Sequence, residues 1–137
     1  MNIKKISIFV FFISFISFSG WASSLDGTWK GTISLGEGRI DYDLTLTIKT
    51  EGTQTLVEAK TNYAKLQVTY VNVEELTEGT HIDIEAYELT QDVYFNFTLM
   101  GALNEAKDTI QGSASQIIQN RRYLTSYGTF EVKKVLF

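Results

Sequence analysis

His81, Asp83 and Glu85 stand two residues apart, a spacing that puts them on one face of a β-strand, successive side chains ~7 Å apart. An imidazole beside two carboxylates is a donor set for a divalent metal. Ile82, Ile84 and Ala86 take the opposite face, however, so the trio reads first as the water-facing side of a half-buried strand. Asp41 and Asp43 form a similar pair, and paired carboxylates suit acid–base work on a glycosidic bond. Tyr42 and Leu44 alternate with them, and the reading as a solvated face applies again. A serine triad would have to use His81, the single histidine; the nearby hydroxyls are Thr77 and Thr80, and there is no Gly-x-Ser-x-Gly elbow. Gly112-Ser113-Ala114-Ser115 is a run of small residues within a strand pattern, with no helix after it, so it is not a phosphate loop. Arg121-Arg122 lies between Asn120 and Tyr123 and reads as a solvated turn, with recognition of an acidic group as the alternative. No enzymatic activity, metal or organic cofactor is expected from these groups.

The chain has 137 residues, no cysteine and no proline. Its length suits a single domain. Without cysteine there are no disulfides, Cys–zinc sites, thiol catalysis or lipid-modified N-terminal Cys. Without proline, every turn must be made from Gly, Asn, Asp, Ser and Thr. A hydrophobic content of 44% with 13% aromatics excludes a disordered chain.

Residues 1–22 have the three parts of a secretory signal peptide. Lys4 and Lys5 form the positive start, Ile6 to Ser19 an uncharged apolar run, and Gly20-Trp21-Ala22 the small-residue cleavage site. The apolar run is shorter than the ~20 residues of a spanning helix. Cleavage after Ala22 would take the formal charge from −4 to −6. An acidic domain lacks the clustered Lys and Arg that nucleic acid or an anionic membrane surface requires. A periplasmic or secreted bacterial protein is expected, with residues 23–137 as one domain.

That domain reads as strands throughout. From Arg39 to Lys49, Ile40, Tyr42, Leu44, Leu46 and Ile48 alternate strictly with polar residues, which no amphipathic helix would do. Trp29, Gly31, Ile33 and Leu35 alternate before it, across a Gly36-Glu37-Gly38 hairpin. Further strands are expected over 54–61, 65–73, 80–88, 92–100, 108–117 and 126–136. Two of them break phase: Leu66, Val68 and Tyr70 give way to Val71 and Val73, and Ile82, Ile84 and Ala86 to Tyr87 and Leu89. Such slips mark β-bulges, which curve a sheet. The expected fold class is all-β: an eight-stranded antiparallel up-and-down meander closed as a barrel, a closure that removes exposed edges. An open sandwich of the same strands is the alternative.

Leu25-Asp26-Gly27-Thr28-Trp29 opens this domain and Gly128-Thr129-Phe130-Glu131-Val132-Lys133-Lys134-Val135 closes it. A Gly-x-Trp on the first strand of an eight-stranded meander resembles the calycin group of lipocalins, fatty-acid-binding proteins and avidins. The resemblance implies that Trp29 plugs one end of the barrel, beneath Lys133 or Lys134 as a cation–π partner. The avidin set of tryptophans and the lipocalin disulfide are absent. Gly27-x-Trp29-x-Gly31 also resembles the start of haem-binding nitrobindins, but His81 belongs to a polar strand face, where no haem ligand is expected.

The function expected is non-enzymatic binding by a monomer, with a small apolar molecule in or at the mouth of the barrel. Phase assigns Tyr42, Leu44, Phe95, Phe97, Gly112, Ala114 and Phe130 to the interior as the ligand-binding set. Gly112 and Ala114, facing bulky aromatics, would leave the room; the simpler reading of these two is the taper of a small barrel. Two alternatives stand beside this. One is a protein-binding or protease-inhibitor barrel acting through its rim or an N-terminal arm, Ser23-Ser24-Leu25. The other is a small outer-membrane barrel, because alternation is unchanged when inside and outside are exchanged. N-terminal sequencing of the exported protein should read Ser-Ser-Leu-Asp; a start at Met1 would contradict the assigned leader.

Overall fold

A computed structural model of the chain describes residues 24–36, 40–90, 93–120 and 123–136. The expected leader, residues 1–22, and the Arg121-Arg122 pair lie outside the described residues. The described chain is all-β. Eight strands follow one another as β1 (Gly27–Leu35), β2 (Ile40–Glu51), β3 (Gln54–Thr61), β4 (Lys65–Leu76), β5 (Gly79–Thr90), β6 (Val93–Leu103), β7 (Thr109–Gln119) and β8 (Tyr123–Lys134). Each pairs antiparallel with the next, and β8 returns to β1, closing an up-and-down barrel. The closing seam runs from Trp29↔Lys134 to Leu35↔Gly128.

Alternation puts the apolar side inward. Leu44, Leu46 and Ile48 of β2, Ile82, Ile84 and Ala86 of β5, and Phe130 and Val132 of β8 are all buried in one core. Asp41, Asp43, Thr47 and Lys49 lie on the exposed side of the same β2. Interstrand closeness also depends on residues without side chains. A Cβ on Gly31 would stand 1.8 Å from the Glu131 carbonyl oxygen across the closing seam, so only glycine lets β1 and β8 meet there.

One of the two expected phase slips is present. The β4–β5 register shifts between Val68 and Tyr70, and the Thr69 hydroxyl donates to the Glu85 carbonyl at 3.2 Å beside the bulge. The bulge turns Val71 and Val73 back toward the core while Tyr70 stays exposed. The slip expected in β5 is absent and is corrected: β5 pairs without interruption with β6 from His81↔Ala102 to Thr90↔Val93. Its inward phase continues to the half-buried Glu88, and Tyr87 and Leu89 lie outside. Tyr87 meets Tyr94 edge-on at 4.9 Å, and Leu89 is 63% exposed. Sequence alone took these two for inward residues because apolar type was used as a proxy for burial. The strands also outlast their expected bounds: Glu74 and Glu75 pair with His81 and Thr80, and β8 begins at Tyr123, not Ser126. A solvated ladder is as polar as a turn, so composition does not mark where it ends.

One seam is thin. β3 and β4 pair only at Ala59↔Leu66 and Lys60↔Lys65, next to their turn, whereas β7 and β8 pair from Thr109↔Lys133 to Gln119↔Tyr123. Val57 on β3 and Val71 and Val73 on β4 are accordingly half-buried.

The end at which β1 begins is sealed. Leu25 and Trp29 are fully buried there, and the indole N–H of Trp29 donates to the Leu25 carbonyl at 2.8 Å. The Lys134 ammonium lies 5.5 Å from the centroid of the Trp29 ring and donates to the Ser24 carbonyl at 3.2 Å. Lys133, one residue earlier, faces solvent. Asp26 accepts from the Thr50 hydroxyl at 2.7 Å and ties the entering chain to β2. At the same end, the Asn104 carboxamide braces the β6–β7 turn. It accepts from the Asp108 and Thr109 amides and donates to the Asp108 carboxylate. The Asn104 bond, then that from Thr109, hold the exposed Asp108 carboxyl below its ordinary range. The small contribution of this turn is therefore present above that range and is lost as the pH falls through the lowered value.

If Trp29 seals the interior, Trp29→Ala should cost ~3–5 kcal/mol, as large core truncations do. Lys134→Ala should cost at most about 1 kcal/mol. Denaturant titration checks both, and a Trp29→Ala loss below about 1 kcal/mol would show that the ring seals nothing.

Candidate functional site

At the opposite end of the barrel, where β1, β3, β5 and β7 finish, several inward side chains among the described residues are partly exposed. Along β8, Val132 and Phe130 are buried, Ser126 is half-buried and Leu124 is 62% exposed. Along β2, Ile48, Leu46 and Leu44 are buried, Tyr42 is half-buried and Ile40 is 48% exposed. On β6, Leu99 and Phe97 are buried and Phe95 is half-buried. On β2, β6 and β8 inward side chains thus become wetter toward this end, whereas β1 keeps Leu35 fully buried there and β3 and β4 run the other way, with Thr61 and Leu66 buried and Val57, Val71 and Val73 half-buried. The interior is packed beside Trp29 and opens toward Phe95, Ile118 and Leu124, which share one row across β6, β7 and β8.

The interior set expected from phase divides along this gradient. Leu44, Phe97, Ala114 and Phe130 are packed into the core, while Tyr42 and Phe95 stand at its wet margin. Gly112 has a different role from the one expected. A Cβ there would stand 1.9 Å from the Met100 carbonyl oxygen, so this glycine admits the neighbouring backbone and not a ligand. The Phe130 ring takes the space on the adjacent Gly101, whose Cβ would lie 2.6 Å from it.

Tyr42 holds Phe97, from the same expected interior set, and two residues that sequence reasoning did not connect to it, Tyr63 and Gln116. Its ring meets Phe97 edge-on at 5.4 Å and Tyr63, from the β3–β4 turn, at 5.7 Å. Its hydroxyl accepts a 2.8 Å bond from Nε2 of Gln116, which is 0% exposed. The other end of that amide, Oε1, is buried without a hydrogen-bond partner. It is the one such side-chain atom among the described residues. The two other buried polar side chains are satisfied: Thr61 accepts from the Tyr63 amide, and Thr80 donates to Glu75. An orphaned amide end costs about 1–3 kcal/mol in a protein interior. Gln116 was legible as an anomaly, a polar residue in the inward phase of Ala114 and Ile118, but its partner 74 residues away was not.

The chemical groups of the sequence lie outside. His81 and Asp83 are half-buried and Glu85 exposed on the outer face of β5, opposite the buried Ile82 and Ile84. Among the described residues, no three His, Asp or Glu side chains converge on a metal-holding position. Asp41 and Asp43 are exposed on β2, and the Asn62 carboxamide accepts from the Asp43 amide at 3.0 Å. The outer positions of β6, β7 and β8 from Tyr94 to Thr129 carry no charged strand residue, in contrast to β2 and β5. No helix among the described residues is long and apolar enough to cross a membrane.

No protein-family model matches this chain, and its sequence matches no curated protein.

The packed half of the barrel has its own test. Ala114 lies in the row of Leu99 and Gly128 and is buried, so Ala114→Leu should overpack and destabilise by ~1–3 kcal/mol. A neutral result in thermal or denaturant unfolding would reveal empty volume at that level.

Proposed function

We propose that this protein is a non-enzymatic binding barrel that takes a small, largely apolar molecule into its unsealed end. The observation that carries the reading is the rise in exposure along the inward phases of β2, β6 and β8. Trp29 and Leu25 close the floor, and Tyr42, Phe95, Ile118 and Leu124 form an apolar, half-wet margin at the other end. Concave apolar surface with a few convergent polar groups is the ordinary chemistry of a small-molecule site. Export from the cell fits the leader-like residues 1–22 and an acidic, cysteine-free chain.

The outer-membrane alternative is disfavoured by the outward faces. A barrel in lipid needs an apolar outer band. Here Lys30, Asp41, Asp43, Lys49 and Glu58 are exposed along β1, β2 and β3. An inhibitory N-terminal arm is disfavoured as well, because Leu25 is buried and the Ser24 carbonyl is held by Lys134. A protein partner is the second reading, favoured by a different surface. The outer faces of β6 and β7 and the first half of β8, up to Thr129, carry Tyr94, Tyr123 and Tyr127 and no charged strand residue, and tyrosine without charge is typical of interface cores.

Nile red, an uncharged fluorescent dye, should bind the protein saturably with a rise in emission. Phe95→Glu, which puts a charge into the margin, should abolish that binding without unfolding the barrel. Tyr127→Glu, on the outer face, should leave it unchanged. A dye that fails to bind, or that binds Phe95→Glu and the parent equally, would overturn the small-molecule reading in favour of surface recognition.

A further inference from the structure

We propose that Gln116 and Tyr42 form a polar anchor inside the unsealed half of the barrel for an uncharged ligand bearing a hydroxyl group on an apolar body. The inference rests on the reading of that end as a binding mouth and names the chemistry the mouth accepts.

Gln116 lies on β7 with Phe97 and Ser126 as its register neighbours on β6 and β8. Phe95 and Ile118 stand one inward step nearer the mouth, and the Tyr42 ring stands across the barrel between Phe97 and Tyr63. Nε2 of Gln116 is satisfied by the Tyr42 hydroxyl, and Oε1 is buried and unsatisfied. Packing gives no reason for this arrangement, since leucine at the same position would bury a similar volume with no polar atom to satisfy. A function that uses the orphaned atom does give one.

The missing partner can be named by chemistry. As placed, Oε1 needs a donor. If the carboxamide is turned by 180°, Tyr42 donates to Oε1 and Nε2 needs an acceptor. A hydroxyl group both donates and accepts, so it serves either arrangement. A carboxylate serves only the second. It would also bring a charge to a site where the one charged inward side chain at this end, among the described residues, is the acidic Glu88. An alcohol head at Gln116 leaves the apolar body against Tyr42, Phe95 and Ile118, toward the mouth. The anchor thereby selects neutral amphiphiles over fatty carboxylates and over pure hydrocarbon.

Titration of the ¹⁵N-labelled protein with 1-octanol and with sodium octanoate, followed by two-dimensional NMR, tests this. The Gln116 side-chain NH₂ pair is assigned by its loss in Gln116→Leu. It should shift saturably with octanol, and octanoate should bind at least about tenfold more weakly. Gln116→Leu, with a dispersed backbone spectrum as the control for folding, should lose about tenfold in octanol affinity. If Gln116→Leu binds octanol as well as the parent does, or the NH₂ pair stays still at saturation, the anchor is overturned. A long-lived water contact to that pair that persists with octanol bound would show a buried water only, and would overturn it too. Nile red separates the two claims. Dye binding by both parent and Gln116→Leu, with equal displacement by octanol, leaves the mouth standing and removes the anchor; no dye or octanol binding by the parent removes both.

Discussion

The burial of Trp29 at the junction of β1 with β8 is the constraint on which the rest of the barrel depends. A sheet closed on itself has one interior to fill, and its two ends compete for the large side chains that fill it. Here the largest fully buried side chain sits at one end. Its indole N–H is satisfied by the Leu25 carbonyl, and the Lys134 ammonium lies over its ring. Asp26, Thr50 and Ser24 then hold the entering chain against that end. The bulky aliphatic residues follow next to it, with Ile33, Ile48, Ile110 and Val132 all fully or almost fully buried. At the other end half-buried aromatics, one buried amide and an acid stand beside the buried Leu35, Thr61 and Leu66. The asymmetry of the interior follows from where the tryptophan is.

That asymmetry gives the two halves of the molecule different physical roles. Dense packing beside Trp29 supplies stability, which depends on apolar area removed from water. The margin around Tyr42 and Phe95 gives up part of that stabilisation, and Gln116 Oε1 is a direct cost. Such local inconsistency between sequence and packing is what binding sites show. The thin β3–β4 seam and the bulge at Val68–Tyr70 lie in the same wall, where Val68, Val71 and Val73 are half-buried. Curvature and partial exposure are therefore concentrated in β4.

Much of this architecture is legible in the residues, and particular elements show why. The error-free alternation of β2 identifies both a strand and its buried face, because period two has no helical counterpart. The choice between Lys133 and Lys134 was open in sequence, yet the phase of Phe130 and Val132 points to Lys134, which the barrel confirms. The end of β5 misled because Tyr87 and Leu89 are apolar and outward, while Glu88 holds the inward phase. Gly112 read either as the taper of a small barrel or as room for a ligand, whereas its missing Cβ serves the approach of β6. The Tyr42–Gln116 bond was out of reach for a stronger reason. It crosses the barrel between β2 and β7, so it depends on strand stagger and closure, neither of which leaves a mark on local periodicity.

The interior is sealed at the Trp29 end, and we propose that it is accessible at the other. The most direct measurement is relaxation of Ile, Leu and Val methyl signals by a soluble, uncharged gadolinium chelate. The account predicts strong relaxation of Leu124, Ile118 and Val68, and protection of Ile48, Ile82, Ile110 and Val132. Equal protection of both groups, or strong relaxation of Ile48 and Val132, would contradict it.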